Sequence, residues 1–195
     1  FTFLRKVRKV MHALFMLTIA QAVIFMFAVL APGYVTTILR APLESLSVIL
    51  IAPAGLGLGV GAFILGSIGK RFKHKWLSAL GFVAVGIVFI LLPIVSNINV
   101  FNINLLHIIV VLAFIIGFAI SLVFIPSNAT IQIETSEAMR GRMYGLLSSL
   151  IGAVSFLPVV AAGGLADLLG VGAVITGVGV LMIIIGILYL FLIKF

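Results

Sequence analysis

Few side chains in this sequence have the type and spacing to do chemistry. Glu134, Glu137 and Arg140 recur every three residues, as on one face of a short helix, with Arg142 close behind and Ser136 placed to cap it. Their chemistry would be electrostatic: Arg140 and Arg142 can pair with a helix C-terminus or an acidic group across a bundle, or anchor among lipid phosphates. Lys70 and Arg71 open a second basic cluster that runs to Lys75. Gln21 is the most polar side chain deep within an apolar stretch, and either contacts a ligand or bonds a neighbouring helix. The three histidines, His12, His74 and His107, lie far apart in sequence. There is no cysteine, so no disulfide and no thiolate metal site can form. Gly-x-Ser-Gly is missing, and no histidine follows His107 to serve a serine nucleophile. A His-Glu-x-x-His motif and a phosphate-binding loop are missing too, which argues against a metalloprotease and an ATP-driven pump. The expectation is therefore no catalytic residue, no metal ligand and no cofactor: not an enzyme.

The elements that would position these residues are membrane spans. Of 195 residues, 64% are hydrophobic and only 8% charged, too little charge to cover a soluble domain. A formal charge of +8 would suggest nucleic acid in a soluble protein. Here the basic residues sit in short tracts between apolar stretches, and no basic–aromatic RNA-binding motif appears, so no nucleic-acid partner is expected. Apolar runs of about 20 residues, enough to cross the hydrocarbon core, fall near 11–31, 45–68, 76–95, 105–126, 143–165 and 172–193. Pro32-Gly33 closes the first run, Lys70 to Lys75 forms a basic turn, and Asn128 to Arg142 is the longest polar stretch. Asp167 to Gly170 is a tight return. The chain opens on Phe1 without a cleavable signal pattern, as a piece of a longer polypeptide or a processed chain would.

Orientation follows from the cations. Arg5, Lys6, Arg8, Lys9, Lys70, Arg71, Lys73, Lys75, Arg140, Arg142 and Lys194 all fall on one side of a six-span arrangement, and only Arg40 falls on the other. The positive-inside rule puts the larger group, and both chain ends, in the cytoplasm. The expected fold is an all-α six-transmembrane-helix bundle, residues 1–195, with the lipid bilayer as its first partner.

No Lys, Arg, Asp or Glu falls in the middle of a span, so no intramembrane ion pair or proton-carrying carboxylate is expected. Mild polarity marks span one (Thr18, Gln21), span four (Ser121) and span five (Ser148, Ser149, Ser155), whereas spans three and six are nearly pure aliphatic. That asymmetry sets spans one, two, four and five around a cavity, with Gln21, Phe25, Ser121 and Ser149 as its candidate lining. Phe25 also suits lipid or packing, and serine also bonds its own backbone. In span two Gly55, Gly57, Gly59 and Gly61 alternate after Pro53, as a gate helix would or as small-xxx-small packing would.

Six spans split three and three resemble one half of a major facilitator superfamily transporter. The stretch from Ile125-Pro126-Ser127-Asn128-Ala129 through Arg140-Gly141-Arg142-Met143-Tyr144-Gly145 resembles the loop between helices ten and eleven of bacterial exporters of the macrolide-efflux and siderophore-exporter type. Gly163-Gly164-Leu165-Ala166-Asp167 is similar to the end of their eleventh helix. Gly66 to Lys75 looks like a degenerate copy of the superfamily's cytoplasmic signature, with Lys70 where an acidic residue is expected and Lys73 where a glycine is expected. The resemblance implies a 3+3 inverted repeat serving as helices seven to twelve. It also implies an N-terminal six-helix half as partner, in the same chain or a separate subunit, within a bacterial inner membrane.

The implied activity is alternating-access export of an amphiphilic or hydrophobic small molecule, coupled to protons carried outside this half. Lys70, Arg71, Arg140 and Arg142 are then candidate cytoplasmic gate residues. A non-transporting anchoring subunit of a larger membrane complex is the competing expectation, and the lack of buried charge suits it equally.

Overall fold

The computed structural model describes residues 2–68, 74–97 and 104–192, and every regular element in them is helical. Six α-helices follow in order: α1 (Thr2–Gly33), α2 (Ala52–Ile68), α3 (His74–Asn97), α4 (Asn104–Glu134), α5 (Glu137–Leu169) and α6 (Val171–Leu192). Each lies in a helical stretch long and apolar enough to cross a membrane, α2 together with the turns that lead into it from Leu43. A helix satisfies every backbone group internally, which an apolar segment in hydrocarbon requires.

Two boundaries differ from the pattern of polarity. Pro32-Gly33 does not end the first span. The chain continues as a π-helical turn over Tyr34–Ile38, closed by Leu39 N–H on the Tyr34 carbonyl at 3.1 Å. The hydroxyls of Thr36 and Thr37 donate to the Pro32 and Gly33 carbonyls at 2.9 and 2.6 Å, which satisfies backbone near the proline without breaking the helix. A second π turn, Ser47–Ile51, leads into α2.

The polar stretch Asn128 to Arg142 is likewise not a loop. Helix α4 runs to Glu134, only Thr135 and Ser136 lie outside helix, and α5 starts at Glu137. Asn128 Nδ2 donates to the Phe124 carbonyl (2.9 Å), the Thr130 hydroxyl to Pro126 (2.8 Å) and the Thr135 hydroxyl to Ile131. Polar side chains that bond their own helix are compatible with helix, though in sequence they look like a loop. The tight return before α6 is as expected: Gly170 takes φ 86°, which its missing Cβ permits.

Packing runs α2·α4·α1·α5 in series, and α3 and α6 pair behind that row, α3 also against α4 and α6 also against α5 and α1. Exchanging α1, α2 and α3 with α4, α5 and α6 carries α1·α5 onto α4·α2 and α3·α4 onto α6·α1, while α1·α4 and α3·α6 map onto themselves. This is the 3+3 repeat, inverted because α1 and α4 cross in opposite directions.

Small residues bring the pairs together. Gly57 and Gly61 of α2 face Phe114, Phe118 and Ser121 of α4, and Gly117 of α4 faces Ala54. Gly86 of α3 and Gly179 of α6 face each other's carbonyls, a Cβ on either lying 2.5 or 2.7 Å away. Gly55 and Gly59, by contrast, face open space, so only one of the two possible glycine pairs in α2 packs. The main core gathers Tyr34, Leu50, Phe89, Leu92, Ile116 and Ile175, with the Phe27 and Phe89 rings stacked 5.0 Å apart. Helix α3, one of the two nearly pure aliphatic spans, is nonetheless the most enclosed: 56% of its apolar window is buried, against 17% for α5. Its aliphatic side chains fill the space between α4 and α6.

Candidate functional site

The row α2·α4·α1·α5 forms one wall, and the expected lining residues divide on it. Gln21 is half-buried midway along α1, and Phe25, one turn further, is exposed. Ser149 is exposed on the neighbouring α5, its hydroxyl donating to the Gly145 carbonyl at 3.1 Å. Ser121 is not beside them. It is fully buried in the α2·α4 contact, against Gly61, and donates to the Phe118 carbonyl at 2.6 Å. Its hydroxyl lets two helices approach without leaving a polar atom bare, so it contributes to packing here. A notch of about 360 Å³ between α2 and α4 is lined by apolar residues alone, among them Val48, Pro53, Leu56, Val110 and Phe114. It offers a polar ligand nothing to bond.

At the other end of the row, α1, α4 and α5 meet in a second apolar cluster of Val10, Leu14, Leu17, Ile131 and Leu147. Charges ring it. Lys9 Nζ donates to Glu134 Oε1 at 2.7 Å, joining α1 to α4. Arg140 Nη2 donates to the Gln132 carbonyl at 2.9 Å, so a guanidinium from the first turn of α5 caps the C-terminus of α4, where the helix dipole favours a cation. The same side chain lies 3.9 Å from Glu137. Glu134, Glu137 and Arg140 therefore do not share one short helix: the turn at Thr135–Ser136 separates the first from the other two. Ser136 stands at the N-cap, but its carbonyl, not its hydroxyl, takes the Met139 and Arg140 N–H groups.

Tyr144 donates to Asn128 Oδ1 at 3.0 Å, a further tie between α5 and α4. His74, at the start of α3, places Nδ1 3.0 Å from both the Pro126 carbonyl and the Thr130 hydroxyl. Since Thr130 already donates to that carbonyl, Nδ1 is best protonated, donating to both oxygens. Arg142 is exposed. Lys70 and Arg71, also expected at the gate, lie outside the described residues.

A sequence profile of the Major Facilitator Superfamily matches residues 13–194. The chain belongs to the Major Facilitator Superfamily. Neither a curated protein nor a solved structure matches it. As a superfamily member with six membrane-long helices it is a multi-pass membrane transport protein.

Two features of this superfamily bundle were not anticipated from sequence. The Lys9–Glu134 pair joins residues 125 positions apart, with nothing local to signal it. Ser155 in α5 is buried, and its hydroxyl has no hydrogen-bond partner among the described residues. In sequence it stands beside Ser148 and Ser149 as mild polarity in span five, and only Ser149 is singled out as candidate lining.

Proposed function

We propose that this bundle is the C-terminal half of a secondary active exporter that carries amphiphilic or hydrophobic small molecules by alternating access. One observation carries the reading: α5 and α2, the two ends of the row, leave most of their surface uncovered. On α5 the glycines Gly141, Gly145, Gly152 and Gly164 face open space, and on α2 so do Gly55, Gly59 and Gly66. In lipid, helices associate through close contact of small residues. Two open small-residue edges flanking a weakly polar wall suit a second six-helix half, with the solute path between the two. The wall's substrate-facing residues are Gln21, Phe25 and Ser149, and Ser121 supports them from the α2·α4 contact. Arg140 and Arg142 belong to the cytoplasmic gate, with Lys70 and Arg71 in the adjoining loop. The cations gather at the cytoplasmic end, and protons couple transport from the other half, since no carboxylate stands mid-span here.

The test is transport by the full-length protein in liposomes. With an imposed proton gradient, Nile red, a neutral amphiphile, should cross faster than in protein-free liposomes, and an uncoupler should abolish the difference. Equal rates with and without protein would favour the anchoring-subunit reading.

A further inference from the structure

Most hydroxyls in this bundle are satisfied by their own helix. Thr18 donates to Leu14, Ser67 to Phe63, Ser96 to Leu92, Ser121 to Phe118, Ser149 to Gly145 and Thr176 to Gly172. Ser155 does not, although it is only 4% exposed and its hydroxyl oxygen is enclosed. A buried hydroxyl without a partner is costly, and membrane depth offers no water to relieve it.

Register shows what lies beside it. Helices α1 and α5 run parallel. Leu14 and Leu17 share a cluster with Leu147 and Ile151 near one end. Near the other, a Cβ at Gly163 would lie 3.7 Å from Val29. Pairing Leu14 with Leu147, or Val29 with Gly163, sets Ser155 level with Ala22 or Gln21. The helical rows agree. Gln21 continues the row Val10, Leu14, Leu17 along α1, and Ser155 continues Tyr144, Leu147, Ile151 along α5. Gln21 likewise has no hydrogen-bond partner among the described residues. Two uncharged polar groups with free hydrogen-bonding capacity thus stand at one depth, midway through their helices, on adjacent elements of the wall.

We propose that Gln21 and Ser155 form a neutral hydrogen-bonding point that selects an uncharged polar group (a carbonyl, amide or hydroxyl) on an otherwise apolar solute. This rests on the transport function proposed above and adds the chemical class of the solute. The amide offers two donors and an acceptor, the hydroxyl one donor and an acceptor. With no acidic or basic side chain mid-span, a charged solute finds no counter-ion here, and a purely apolar one leaves both groups bare. Gln21 is the half-exposed partner and meets the solute first; Ser155 follows when the α1·α5 contact loosens.

The test uses the full-length protein in nanodiscs with two radiolabelled probes, read against empty discs. Progesterone is neutral, with carbonyls as its only polar groups; tetraphenylphosphonium is a cation without hydrogen-bonding groups. Gln21→Leu and Ser155→Ala should each weaken progesterone binding about tenfold, the loss of one hydrogen bond, and leave tetraphenylphosphonium unchanged. Without ligand, Ser155→Ala should melt no lower than the parent, since it removes an unsatisfied group.

Three results would overturn the proposal. The parent protein holds no progesterone beyond the empty discs, or the variants weaken both probes alike. The third is melting temperatures that fall for each single variant and no further for the double, which would mean the side chains bond each other as interhelical glue. Nile red transport that persists through any of these removes this inference alone and leaves the transport function standing.

Discussion

Gly57 of α2 lies so close to the main chain of Phe114 on α4 that a methyl group at residue 57 would overlap the Phe114 carbonyl. Gly117 makes the same approach to Ala54 from the other helix. Gly57→Ala and Gly117→Ala must therefore push α2 off α4, costing about 1–3 kcal/mol of overpacking each. Gly55→Ala and Gly59→Ala meet open space within this bundle and should leave the α2·α4 contact intact, so that any smaller cost comes from the edge proposed to meet the second half. Unfolding in detergent by chemical denaturant, run on all four variants, checks the contrast.

That contrast also marks the limit of the sequence. Six spans are legible because hydropathy over twenty residues is a strong signal and depends on no neighbour. Which glycines pack is not, because Gly55/Gly59 and Gly57/Gly61 have identical spacing and only the position of α4 distinguishes them. The same holds for the candidate wall. Ser121 and Ser155 look alike in a row of aliphatic residues, yet one bonds Phe118 against Gly61 and the other is left without a partner at the level of Gln21. The turn at Thr135–Ser136 was hidden for another reason: Asn128, Thr130 and Thr135 bond their own helix, which polarity alone takes for loop.

Tyr34 is fully buried, its hydroxyl 2.7 Å from Ser96 Oγ and 3.1 Å from the Leu92 carbonyl. Tyr34→Phe should cost only about 1 kcal/mol, since Ser96 keeps its own bond to Leu92 at 2.8 Å and no donor is stranded. Tyr34→Ala should cost about 3–5 kcal/mol by emptying the core between α1 and α3. Denaturant midpoints of the two variants separate the hydroxyl from the ring.

Arg40 holds φ at 51°, a left-handed conformation that strains any residue but glycine. Arg40→Gly should raise stability by about 0.5–1 kcal/mol. With the other eleven cations expected on the opposite side, the substitution should also leave the membrane orientation unchanged. Melting temperature and protease protection of the termini in sealed vesicles check both halves of the prediction.

The Lys9–Glu134 contact is short, but Lys9 keeps 43% of its side chain exposed. A double-mutant cycle with Lys9→Met and Glu134→Gln should give a coupling of about 0.2–1 kcal/mol, falling as salt is raised. A coupling that salt leaves unchanged would place the pair out of reach of solvent.

Alternating access is tested most directly at Phe25. The chain has no cysteine, so Phe25→Cys supplies a single thiol within it. The measurement is labelling of that thiol by a charged, membrane-impermeant methanethiosulfonate, added from the cytoplasmic or the external side of oriented vesicles. A wall that opens to each side in turn predicts labelling from both, with excess Nile red slowing it. Labelling from neither side would put Phe25 against lipid or in fixed packing and contradict a transport path along this face of α1.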